Sequence, residues 1–227
     1  MPTPPRKRLP RELGAAAREF THHPSPWMIG GMAVAATAGR LAVGDWQYTD
    51  ALIPLVAVAI FPFVEWVIHT SVLHWRPKTV AGLTLDSRLA RDHRRHHAAP
   101  RDVPLIFIPW QTLLWLVPVL IVLAAFAFPR PGLGLTFLMT VGVMGLAYEW
   151  THYLIHTDYK PKSRLYRATW INHRHHHFKN EHYWFTVTTS GTADRVLGTY
   201  PDPAAIPTSP TSRNLFDLEP QAPRAGG

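Results

Sequence analysis

Cysteine is absent from all 227 residues. That excludes disulfides, zinc ribbons and thiolate-ligated clusters, and it fits working parts that face a reducing cytoplasm. Glutamate is scarce. The chain has six, several of them in terminal segments. Glu149-x-x-His152 matches half of the soluble di-iron carboxylate pattern, but that site needs a second such motif and two more helical carboxylates, which this chain lacks. There is no Gly-x-Gly-x-x-Gly fingerprint for a dinucleotide. The N-terminus also lacks the quick passage from basic to apolar residues that marks a cleaved signal peptide. Arg6, Lys7, Arg8 and Arg11 are followed by roughly twenty polar or mixed residues, so residues 1–26 read as a retained cytoplasmic segment.

What is present comes in blocks. Hydrophobic residues make up 47% of the chain, concentrated at 27–44, 51–68, 104–128 and 132–151. Each block approaches the roughly 17–25 residues of a bilayer-spanning helix. The first is weakened by Ala, Gly and Arg40, and the second carries Pro54 and Pro62, which neighbouring helices can accommodate. The formal charge is +8, yet the basic residues form no stripe interleaved with stacking aromatics, so no nucleic-acid partner is expected. They lie between the apolar blocks, as at an anionic lipid surface. Lys and Arg number five in residues 1–26, seven in 75–104 and nine in 155–227. The short turns near 44–50 and 129–133 add only Arg40 and Arg130. The positive-inside rule then puts both termini and the central loop in the cytoplasm, with a bacterial inner membrane as the expected location. Residues 201–227, rich in Pro, Ser, Ala and Arg and without periodicity, read as a disordered tail.

Ten of the fourteen histidines fall into four groups, all on that cytoplasmic side. They are His69 and His74; His93, His96 and His97; His152 and His156; and His173, His176 and His177. Ten imidazoles exceed what one transition-metal ion can use, and they point to two ions. Residues three and four apart share a helical face, so each His-x-x-His-His set and the His152/His156 pair project together. His69 and His74, five apart, lie roughly 140° apart on a regular helix. The alternatives are different ions or a distorted helix, and different ions are expected.

The halves echo each other: Glu65-Trp66 precedes the first pair and Glu149-Trp150 the third. Each half continues through a basic-Pro elbow (Trp75-Arg76-Pro77-Lys78; Tyr159-Lys160-Pro161-Lys162) into its His-x-x-His-His set, a weak pseudo-repeat. Glu65 and Glu149 stand near membrane depth, where a carboxylate needs a partner, and each is placed to orient its neighbouring histidine. His175 is expected beside the ligands, His182 is a further candidate, and His22 and His23 read as interfacial. A transporter would set ionisable groups near the bilayer midplane rather than at helix ends, and a zinc hydrolase needs fewer histidines.

The order His-x4-His, His-x-x-His-His, His-x3-His, His-x-x-His-His resembles the fatty acid hydroxylase / sterol desaturase superfamily of membrane di-iron oxidases. The likeness covers roughly residues 61–200, including the stretch from His176 through Asn180, Glu181 and His182 to Phe185. The three-residue spacing of His152 and His156 is more like the fatty acid and sterol branch than the carotenoid hydroxylases. The resemblance implies an all-α membrane domain (residues 27–200) of four helices in two hairpins under a cytoplasmic helical cap. It implies a dinuclear centre held by the ten histidines, with Glu65, Glu149, His175, Asn180 and His182 as candidates around it. It further implies two iron ions, replaceable by zinc on purification, O2 as co-substrate, and a lipid substrate drawn from the bilayer. The expected reaction is hydroxylation of a fatty acyl chain, with sterol or carotenoid oxidation and desaturation as alternatives. Some relatives carry a fused haem domain that residues 1–26 are too short to hold. A separate donor, a ferredoxin, a b-type cytochrome or a reductase, is therefore expected, docking on Arg94, Arg95, Arg174 and Lys179.

Overall fold

A computed structural model describes residues 8–218. The chain is mostly helical: α1 (Leu13–Phe20), α2 (Pro24–Val43), α3 (Leu52–Ile68), α4 (Arg88–Ala98), α5 (Trp110–Phe126), α6 (Pro131–His156), α7 (Arg164–Phe178) and α8 (Thr192–Val196). The expectation of an all-α chain missed a small hairpin, β1 (Lys78–Val80) with β2 (Leu83–Leu85), in antiparallel register Lys78↔Leu85. Ala81 and Gly82 both have positive φ, the requirement of a two-residue turn that matches strand twist.

Three helical segments are long and apolar enough to cross a membrane: Tyr48–Leu73, Val103–Phe126 and Pro131–His156. The expected first span, α2, is not among them, because Ala, Gly and Arg40 dilute its hydropathy. It nevertheless runs antiparallel along the length of α6. Ser25 bonds Glu149 at one end and Arg40 bonds Thr136 at the other. The approach is close because both helices offer small residues. A Cβ on Gly142 would sit 2.7 Å from the Ala33 Cβ.

α6 is the hub, packed against α2, α3 and α5. The outward faces of α3 and α5 are exposed and apolar (Leu55, Val56, Val58; Leu114, Val119, Val122), as a lipid-facing surface requires. At the end of α2 away from the histidines, the buried Arg40 guanidinium pairs with Asp45 at 2.8 Å and Asp50 at 2.7 Å, and Arg130 joins both carboxylates. The histidines gather at the opposite end, where the Leu9 N–H reaches Asp158, so the start of the described chain lies on the histidine side.

Residues 201–218, expected as disordered, form an irregular strap across that end. The Ser209 N–H donates to the Lys179 carbonyl, Ser209 and Thr211 hydroxyls donate to Glu181, and Leu215 is buried. Proline and polar content rules out a periodic element without ruling out an ordered coil held by tertiary bonds. Residues 219–227 of the expected tail, and Arg6 and Lys7, lie outside the described residues.

Candidate metal centre

The ten histidines converge in two groups of five. His69, His74, His93, His97 and His176 form one; His96, His152, His156, His173 and His177 form the other. Within each group one nitrogen per ring lies within 4.8 Å of every other. α4 and α7 enter the site alike, since each begins at a Ser-Arg-Leu sequence whose serine (Ser87, Ser163) caps the helix by accepting a backbone N–H. Each then divides its ligands. α4 gives its i,i+4 pair, His93 and His97, to the first group and His96 to the second. α7 gives His173 and His177 to the second and His176 to the first. The sequence echo is therefore a structural one with an exchanged ligand, and the stacked His97 and His177 rings, 4.1 Å apart, join the groups.

His69 and His74 belong to one group, which corrects the expectation of different ions. Residues His69–Leu73 form a π turn, and the His74 N–H donates to the His69 carbonyl at 3.0 Å. An i→i+5 turn sets residues five apart nearly above one another, where an α-helix would splay them. His152 and His156 keep the regular α spacing within α6.

Four rings have their tautomer set by the backbone. Nδ1–H donates to a carbonyl from His69 (Phe185, 2.6 Å), His97 (Ser212, 2.8 Å), His152 (Ile106, 2.9 Å) and His176 (Tyr183, 2.9 Å). Each such ring then presents a bare Nε2 lone pair inward. Facing Nε2 atoms are 3.1–3.2 Å apart, as in His74–His176, His97–His176, His96–His156 and His156–His173. Nε2 of His69 and His152 has no partner among the described residues. His97 and His176 both give their Nδ1–H to a carbonyl, so their facing Nε2 lone pairs repel unless a cation lies between them. Nitrogens about 3.1 Å apart suit neighbouring ligands at roughly 2.1 Å from one first-row ion. The donor set fits two ions of the imidazole-binding transition series. Burial holds His74, His93, His96, His97, His173 and His177 well below the ordinary imidazole value and His176 at about 4, so these rings are neutral and ligand-competent at pH 7.

The two carboxylates do not touch the rings they were expected to orient. The buried Glu65 accepts from Val187 N at 2.7 Å, Thr188 N at 3.1 Å and Thr188 Oγ1 at 2.8 Å. Glu149 accepts from Ile108 N at 2.9 Å and Ser25 Oγ at 3.0 Å. Each thereby anchors a distant backbone segment two residues beyond the carbonyl, Phe185 or Ile106, that receives the neighbouring histidine's Nδ1–H. The orientation is relayed rather than direct, and it is built the same way in both halves.

Other candidates fall around the site. His175 lies outside both groups, its ring 5.2 Å from Trp184. His182 is exposed and faces Glu181. Asn180 Oδ1 accepts from the His182 N–H and shapes the turn after α7. Asp194 was not among the candidates. Fully buried, it takes bonds from Phe185 N, Thr186 N, Thr186 Oγ1 and Thr199 Oγ1, which pins the loop bearing the Phe185 carbonyl. No periodicity in the sequence marks it. Arg94 is buried in a two-pronged pair with Asp86 rather than displayed for docking.

Besides a small cleft of about 50 Å³ beside His93 and His152, two larger cavities adjoin the centre. One, about 350 Å³ and mainly apolar, lies between α3 and α5 over α6; Phe61, Val64 and Ile68 face Trp115 and Leu116, and His69 forms part of its wall. The other, about 630 Å³, opens on the opposite flank beside His156.

An apolar helical bundle with ten inward-facing imidazoles at one end defines a histidine-rich membrane protein of the metal-binding kind. Residues 54–199 match the fatty acid hydroxylase family, and the chain belongs to it. It is 30% identical over 154 residues to a dihydroceramide fatty acyl 2-hydroxylase of Arabidopsis thaliana, covering 66% of this chain and 62% of that protein. The chain thus matches less than two thirds of that relative's length. No solved structure matches it significantly.

Proposed function

We propose that the protein is a membrane di-iron monooxygenase that hydroxylates a lipid acyl chain, with carbon 2 the favoured position. The observation that carries this reading is the placing of His69. It belongs to a five-imidazole group and also to the wall of an apolar cavity between lipid-facing helices. Family membership and the 2-hydroxylase relative support the same chemistry. The ten histidines would hold two iron ions, which when bound supply the O2 activation needed to oxidise an unactivated C–H bond.

The residues of the chain supply the rest. α3 and α5 admit an acyl chain sideways from the bilayer, and Phe61, Val64, Ile68 and Leu116 hold it by apolar contact. Their packing excludes water from the carbon under attack. The Phe185, Ser212, Ile106 and Tyr183 carbonyls keep four imidazoles in one tautomer, so their Nε2 atoms stay unprotonated. The loop 183–188 and the strap 201–218 cover the histidines. With α2 as a fourth crossing, that covered end faces the cytoplasm, where a separate protein delivers the electrons.

The test is turnover of membrane lipids under ¹⁸O2 with an external reductant. One labelled oxygen in a hydroxylated acyl chain is expected, with position 2 read from fragmentation. Label arriving from water overturns the oxidase reading, and loss of two hydrogens without oxygen gain assigns a desaturase.

A further inference from the structure

The 630 Å³ cavity beside His156 differs in kind from the apolar one. Five cationic side chains, Arg11, Arg101, Lys160, Lys162 and Arg174, line it against a single carboxylate, Asp158. That carboxylate is engaged, accepting from both Arg101 guanidinium nitrogens and from the Leu9 N–H. The volume lies within the range of small-molecule sites, and its concavity suits a compact ligand better than a convex protein face. Trp170 forms part of the wall, and its indole N–H has no partner among the described residues. The Arg174 guanidinium lies 4.6 Å from the Trp170 ring centroid, so the aromatic wall and the cations form one surface. The lysines offer point charges and the arginines planar forks suited to phosphate oxygens.

The cavity also lies where a head group should be. The apolar cavity meets the centre at His69 and this one at His156, so the imidazoles stand between an acyl-holding wall and an anion-holding wall. Oxidation close to the head of an acyl chain demands that order. We propose that this cavity seats a phosphate ester carried on the head of the acyl substrate, so that the lipid oxidised is anionic. The inference rests on the hydroxylase reading for the word substrate, while the anion site stands on the cavity alone.

The test uses the full-length, metal-loaded protein in neutral detergent, with inorganic pyrophosphate titrated by calorimetry at low salt. Saturable binding is expected. Lys160→Glu with Lys162→Glu should weaken it about tenfold or more, and Arg11→Ser alone by about threefold, since reversing a charge costs more than removing one. Metal content measured on the same samples shows that the variants are folded. Equal affinity in all three proteins, or no saturable binding in the parent, overturns the site. Two competitors then assign its source. Displacement by phosphatidic acid and not phosphatidylcholine identifies a lipid phosphate; displacement by coenzyme A identifies a soluble acyl carrier. If neither displaces pyrophosphate, the head-group assignment falls. If the double variant binds pyrophosphate normally but loses only reductant-driven turnover, the cavity serves the electron donor and the proposal is overturned. If pyrophosphate binding depends on the lysines while no acyl lipid is ever oxidised, the hydroxylase reading fails and the anion site remains.

Discussion

Glu65 offers a sharp test of relayed orientation. The residue is 6% exposed, and its carboxylate gathers three donors from residues 187–188. Glu65→Ala strands those donors in a buried site. A lost bond to a charged acceptor costs about 1.5–3 kcal/mol, and partial loop relaxation brings the total to about 3–5 kcal/mol. Glu65→Gln keeps one oxygen for the two backbone N–H groups and can turn its amide toward the Thr188 hydroxyl. It loses mainly charge, about 1–2 kcal/mol. The functional consequence is local. With residues 187–188 released, the Phe185 carbonyl is held only from the Asp194 side and orients His69, a member of the first group only, less firmly. Affinity for the first ion should fall about 10–100-fold, the usual effect of losing a group that orients a ligand. Metal per chain, measured by mass spectrometry after dialysis against a weak chelator, should drop from two toward one in the alanine variant and stay near two in the glutamine variant. Two ions held at parental affinity in Glu65→Ala, or equal loss from both groups, would refute the relay.

Gly142→Ala should lower thermal stability in detergent by about 1–3 kcal/mol, because its Cβ would press on Ala33 across the α2–α6 contact; an unchanged melting temperature would deny that contact. The metal-stripped protein should be acid-sensitive. His176 sits at about 4 when folded against 6.5 when free, so the unfolded chain binds more protons between those values. The resulting loss is absent above 6.5, grows as pH falls and levels off below about 4, reaching about 3 kcal/mol for this one ring. Chemical denaturation between pH 7 and 4 measures it, and a flat profile would count against neutral burial. Truncation after residue 200 removes the Ser212 carbonyl from His97 and should cost metal affinity about tenfold or more; parental affinity in the shortened protein would make the strap dispensable.

Regular helical spacing made much of the centre legible in the chain. His152 with His156, and the two His-x-x-His-His sets, are brought together as α-helical periodicity requires. The shared group of His69 and His74 was not legible because nothing in His-Thr-Ser-Val-Leu-His announces a π turn, and no glycine or proline interrupts it. Glu65 and Glu149 were recognisable as buried carboxylates in need of partners. Their actual partners are backbone groups 122 and 41 residues away, which no local pattern encodes. Arg94 read as a surface cation, yet Asp86 folds back onto it across the N-terminus of α4. The strap defeated composition for a similar reason. Its local turns are tied to the rest of the chain through Glu181, Lys179 and His97, which composition does not reveal.

The exchanged ligands bear on the order in which the protein can be built. Once α4 has folded, four nitrogens of the first group are available, but the fifth belongs to His176, 79 residues beyond His97. His96 in turn waits in the first half for a group that α6 and α7 complete. A nascent chain therefore presents no finished cage until α7 has been synthesised and docked, which delays full metal loading until the domain is nearly whole. The same crossing works in reverse during unfolding, since loosening either α4 or α7 withdraws nitrogen from both cages at once.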